Sequence, residues 1–204
     1  MAKPPFHLGT IIILGALLAI SFGCISSPSS RFYLLSSLST TGREVTPSTD
    51  ENCLSIGIGP ISVPGYLDQP QIVTRTTGNE LLLAEFDRWA DPLKENFTRV
   101  ISQNLSTLLC TKTVVVFPWQ WRMHIDYRIE MDVLRFDGTL GGSASLEAWW
   151  RVFSGDGRKM LVVKKSSFNE AVDGKDYRSL VSAQSRVLGH LSGEIAEAIK
   201  TLKK

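Results

Sequence analysis

The sequence predicts an α+β fold: a mostly antiparallel β-sheet with two amphipathic helices packed on one face. Three observations carry this. Between residues 124 and 153, two runs alternate apolar and polar residues with period two, and glycine-bearing turns join them to each other and to a third strand candidate that ends at Phe168. Two other stretches, about 91–109 and 176–200, place apolar residues at steps of three and four. Two helical stripes and one apolar sheet face can close a core by covering each other.

The chain opens with Lys3 and an apolar run from about Leu8 to Phe22, shorter than the roughly 20 residues that span a bilayer core. Residues 1–23 therefore read as a secretory signal that ends in small residues before Cys24. Residues 24–52 are rich in Ser and Thr, with Pro28, Gly42 and Pro47, and are expected to form a tether that buries too little apolar surface to fold alone. Arg31–Leu35 is the exception, apolar enough to add an edge strand. The folded domain is expected over 53–204.

Within it, Leu54, Ile56 and Ile58 alternate with Ser55, Gly57 and Gly59, a strand ending at Pro60. Two short strand candidates, around 69–76 and 80–86, flank the turn signal Gly78-Asn79. The first helix follows: Asp91 can cap it, Pro92 suits its first turn, and its stripe runs through Leu93, Phe97, Val100, Ile101, Leu105, Leu108 and Leu109. The run from Thr113 to Pro118 is a short apolar strand. Ile125, Tyr127, Ile129, Met131 and Val133 then share one strand face, and Ala144, Leu146, Ala148, Trp150 and Val152 share another. The last helix carries Tyr177, Leu180, Val181, Val187, Leu188, Leu191, Ile195 and Ile199 as its stripe, with lysines at its negative end.

A net charge of +2 gives no broad basic footprint for nucleic acid. Three histidines and three cysteines are too scattered for a zinc-type cluster, no other cofactor is indicated, and no nucleophile motif, metalloprotease motif or phosphate loop occurs. His124 reads as solvated, His190 as a packing residue, and Asp126, Glu130 and Asp132 as a charge-balanced wet face shared with Arg128. In an oxidising compartment Cys53 and Cys110 either pair or remain as two buried thiols.

The segment from Ile61 to Arg75 contains Pro64, Gly65 and Pro70, which exclude a helix and a central strand. It reads as a fixed bend that carries Tyr66, Leu67, Asp68 and Gln69. Tyr66 and Leu67 either cap the core or meet a protein partner. Arg88 and Trp89 pose the same choice, with Trp89 anchoring the helix start and Asp68 or Asp87 pairing Arg88.

Residues 57–75, 81–105, 114–119, 126–138 and the closing helix resemble the PqiC-like, or ABC-type transport auxiliary, lipoprotein family. The "YLDQPQIVTR" and "DRWADPL" motifs are the most specific part. The preceding "ISFGC" resembles a lipobox, with Gly23 and Cys24 in place and Ser21 and Phe22 departing from the usual pattern. Cys24 is then the acylated residue; the alternative is an uncleaved membrane anchor. Ile25, where inner-membrane lipoproteins carry Asp, implies the outer membrane. The resemblance implies a non-catalytic periplasmic subunit that serves an MCE-domain protein in lipid transport between two membranes. Assembly into a homo-oligomeric ring fits that role. A carrier that itself buries lipid is an alternative, and a cell-envelope hydrolase a more remote one.

Overall fold

The computed structural model describes residues 28–38, 53–76, 78–119 and 123–203. Cys24, the signal segment and residues 39–52 lie outside the described residues. Eight strands and two helices follow in the order β1 (Arg31–Tyr33), β2 (Leu54–Ser62), β3 (Gln71–Arg75), β4 (Leu81–Trp89), α1 (Leu93–Leu108), β5 (Thr111–Val116), β6 (Tyr127–Gly138), β7 (Ser143–Ser154), β8 (Met160–Ala171) and α2 (Tyr177–Leu202).

The α+β class and the two helices stand as expected, but the strands form two sheets, not one. A three-stranded sheet has the order β1-β4-β3, and a five-stranded sheet the order β5-β2-β6-β7-β8. Both sheets are mixed. β6, β7 and β8 are antiparallel neighbours, as the two alternating runs and the glycine-bearing turns predict. β2 is parallel to both β5 and β6. Between β2 and β5 the chain builds the small sheet and α1. A long crossover of that kind returns the next strand parallel to the first.

β2 also runs on past Pro60 to Ser62. The expected stop becomes a register shift between Ile58 and Ile61, which leaves Pro60 exposed and lets the strand resume pairing with β6. Asp91 is not the cap of α1. Pro92 occupies that position, without a side-chain cap bond. Asp176 caps α2, accepting from the Ser179 N–H at 2.7 Å.

The helices cover one face of the five-stranded sheet. Phe97, Val100, Ile101 and Leu105 of α1 and Leu180, Leu188, Leu191 and Ile195 of α2 are buried against Ile129, Met131, Leu146, Ala148 and Trp150. Phe97 meets Phe136 edge to face, with ring centroids 5.4 Å apart. Several of the buried polar groups that interrupt this layer are hydrogen-bonded, while Asn96 Nδ2 and Gln184 Oε1 have no partner among the described residues. The Trp150 indole donates to Ser166 Oγ at 2.9 Å, and Ser166 donates in turn to Glu194. Asn104 of α1 donates to Ser192 Oγ of α2 at 3.0 Å and accepts from the Leu38 N–H at 2.7 Å, tying the chain after β1 to both helices. The other sheet face carries the expected balanced charges, among them Arg151–Asp132 at 2.7 Å and Lys165–Glu147 at 3.2 Å.

Strict alternation along β6 breaks once. The pairing shifts between Val133 and Arg135, which leaves Leu134 as an extra residue. Phe136 is thereby turned to the core, and Arg135 and Asp137 to the opposite face. At the β7–β8 turn a Cβ on Gly155 would lie 1.6 Å from the Ile125 carbonyl oxygen, so only glycine admits that approach. Cys53 and Cys110 are joined in a disulfide, their Cα atoms 4.8 Å apart, because β2 and β5 are neighbours that begin at the same level.

Candidate functional site

The bent segment is built from short local bonds. The Leu67 N–H donates to the Pro64 carbonyl at 2.9 Å, and the Asp68 N–H to that of Gly65 at 3.2 Å. The Pro70 carbonyl then accepts from the Trp89 N–H at 2.8 Å, which fixes the bend to the end of β4. Leu67 and Trp89 are buried in the core. They hold the segment and the start of α1 in place, and neither presents a side chain to a partner. Tyr66 is half-buried and packs against the same core. Asp68, Gln69 and Pro70 are exposed. With Trp89 and Ala90–Leu93 they line an open groove of about 300 Å³.

Arg88 does not join this groove. Neighbouring residues on a strand point to opposite faces, and Asp87, one of the two acids expected to pair with Arg88, is instead held by β1. Arg31 donates to it through Nε at 2.8 Å and Nη2 at 2.9 Å, and the Tyr33 hydroxyl donates at 2.7 Å. Asp68 makes no bond to Arg88 either, and the Arg88 Nε is buried without a hydrogen-bond partner among the described residues.

What sequence reasoning missed is the charge cluster behind Tyr66. Asp137 is wholly buried. Arg75 of β3 donates to its Oδ2 through Nε at 3.2 Å and Nη2 at 2.8 Å, and Arg135 donates to Oδ1 at 2.8 Å. The Tyr66 hydroxyl lies 3.4 Å from the same carboxylate. Burial, together with the negative charge of Asp137, raises the Tyr66 phenol above its ordinary value. The bond to Asp137 likewise raises Arg75. The only signal in the sequence was Arg135 two residues before Asp137, and the bulge at Leu134 hid which face the pair would take.

A second groove, of about 490 Å³, runs between α1 and the ends of β2 and β5. Ile58, Pro60, Ile61 and Phe117 form its apolar part, and Lys94 and Arg99 stand beside it. No group of three or more His, Cys, Asp or Glu side chains suited to a metal occurs among the described residues. His124 lies on the surface 3.0 Å from Asp126, and His190 stacks on Phe168 while bonding Glu170 at 2.8 Å. None of the described helices is long and apolar enough to cross a membrane. The geometry is that of a rigid surface with open grooves, suited to contact with another molecule.

Comparison with known proteins defines the class first. The chain belongs to the ABC-type transport auxiliary lipoprotein component family, whose profile matches residues 33–196. It is thus an auxiliary lipoprotein of a transport system. Among individual relatives, it is 24% identical over 181 residues to the intermembrane transport lipoprotein PqiC of Escherichia coli, covering 88% of this chain and 92% of that protein. The Shigella flexneri protein of the same name matches equally. The fold recurs in the crystal structure of an uncharacterised protein, with a TM-score of 0.68 and 17% identity over 84% of this chain and 99% of that one. A Xanthomonas campestris protein gives a TM-score of 0.65 and 16% identity over 85% and 96%.

Proposed function

We propose that this protein is a non-catalytic, lipid-anchored periplasmic subunit of an MCE-type intermembrane lipid-transport system. Cys24 is its acylated residue and the outer membrane its site. The MCE-domain partner meets the exposed rim of the bent segment, Asp68, Gln69 and the outer edge of Tyr66, with copies of this chain arranged as a ring around a multi-subunit tube.

The observation that carries the reading is the way the bend is held. Leu67 and Trp89 lock it from below and Asp137 from the side, yet its polar tip stays in solvent around a groove. A segment fixed that firmly loses little conformational entropy on binding, which favours affinity. The family to which the chain belongs and the name of its relative PqiC both support an intermembrane transport role. A carrier that buries lipid itself is less well supported, because the helical stripes are already spent on covering the sheet.

The test is co-purification from membranes under mild detergent, with wild type and a Asp68→Ala/Gln69→Ala double variant. A stoichiometric MCE-domain protein with wild type and its loss with the double variant are expected. Recovery of lipid without any protein partner would overturn the reading in favour of the carrier.

A further inference from the structure

Leu82 and Leu83 of β4 are exposed by 52% and 48%. Side chains at consecutive strand positions point to opposite faces, so at this end of the small sheet neither face is covered by the described residues. Among the described residues the outer edge is open as well: β1 pairs with β4 only from Asp87 to Trp89. β3 pairs with this stretch on its inner side, Val73 level with Leu83 and Thr74 with Leu82, so two large apolar residues sit on a strand segment whose outer edge alone is open, where charge or proline would normally stand.

The topology says which way this segment faces. β1 is parallel to β4, with Arg31 level with Asp87. The chain therefore enters β1 from the Leu81 end of β4. Seven residue steps separate Arg31 from Cys24, a reach of at most roughly 25 Å. Five steps separate Asp87 from Leu82 along the strand, about 17 Å. A fully extended tether would end less than about 10 Å beyond Leu82. A tether that continues the line of β1 would therefore bring an acylated Cys24, and the bilayer with it, close to this end of the sheet.

We infer that the free edge of β4, through Leu82 and Leu83, docks on the surface of a zwitterionic bilayer and sets the orientation of the domain on its membrane. The inference rests on the reading of Cys24 as the lipid-modified residue. Glu80 and Glu85 are exposed on either side of the pair, so insertion of apolar side chains drives the contact, not attraction to anionic lipid. Contact strength is accordingly insensitive to salt.

The experiment uses the full, acylated chain reconstituted into vesicles of phosphatidylethanolamine and phosphatidylcholine. Leu83→Cys is labelled with a polarity-sensitive fluorophore, and Val163→Cys, exposed by 51% on the far edge strand β8, is the control. Cys53 and Cys110 are bonded to each other and do not compete for label. The expected result is blue-shifted emission at position 83, quenched by spin-labelled lipid, with neither effect at position 163. A protein that does not float with the vesicles overturns the anchor and the docking together. Flotation with equal quenching at both positions overturns the docking alone. A blue shift at position 83 without lipid quenching assigns the patch to a contact between copies of the chain and equally overturns it.

Discussion

Replacing Asp137 by Ala tests whether the buried charge cluster holds the bend. The carboxylate is 0% exposed and accepts three hydrogen bonds from Arg75 and Arg135. Removing one partner of a buried ion pair costs about 3–5 kcal/mol, because the other charge is left uncompensated. Here the stranded guanidinium groups are 24% and 35% exposed. Water reaches them in part, so the cost falls to about 2–3 kcal/mol. For a domain of this size that is a drop in Tm of roughly 5–10 °C. Thermal unfolding of the full chain followed by circular dichroism reads it directly. Arg75→Met in the same background removes one stranded cation, so the double variant is expected to melt above Asp137→Ala, a non-additivity typical of groups in one network. An Asp137→Ala protein that melts within about 2 °C of wild type would show that the cluster contributes nothing to the bend, and the proposed rigidity of the partner surface would go with it.

Four further outcomes are expected. Cys24→Ala is recovered unprocessed or released from the membrane, and radiolabelled fatty acid enters wild type alone; label in the variant refutes acylation at Cys24. Leu105→Asp places a charge in the fully buried stripe of α1, at a cost of several kcal/mol against a typical total of about 5–15 kcal/mol, so a wild-type melt would contradict the packing described above. Reducing the Cys53–Cys110 bond, which spans 57 residues, lowers stability by up to about 4 kcal/mol through loop entropy, visible as a dithiothreitol-dependent Tm. The bonds from His190, then Arg186, hold Glu170 below the ordinary glutamate value of 4.5. A depressed carboxyl stabilises the fold above its unfolded pKa, and that contribution is lost as pH falls through its lower folded value. The Tm gap between wild type and Glu170→Gln should therefore be constant at neutral pH and close below about 4.5; a gap that persists into strong acid would exclude this ion pair as its source.

Local periodicity was enough to read much of this protein. The stripes of α1 and α2 and the alternation of β6 and β7 were legible because each reports burial on one side of a single element. The bend at Pro64–Pro70 was legible because proline restricts the backbone wherever it stands. Resemblance over most of the chain added the family, which the fold by itself would not have given.

Tertiary structure decided what depends on which elements become neighbours. Nothing local separates β3 and β4 into a second sheet, or makes β2 parallel to β5 and β6, since a strand's sequence does not encode its partner's direction. The bulge at Leu134 turned Asp137 under Tyr66 and Phe136 into the core, and one inserted residue reverses every later side chain. Arg75, which donates two hydrogen bonds to Asp137, lies 62 positions away. The side chains that claim Asp87 come from β1, 54 to 56 positions earlier, and so leave Arg88 without the partner its sequence neighbour suggested. Charges carry no register of their own. Only strand pairing and the packing of one sheet against the other determine which carboxylate each guanidinium can reach.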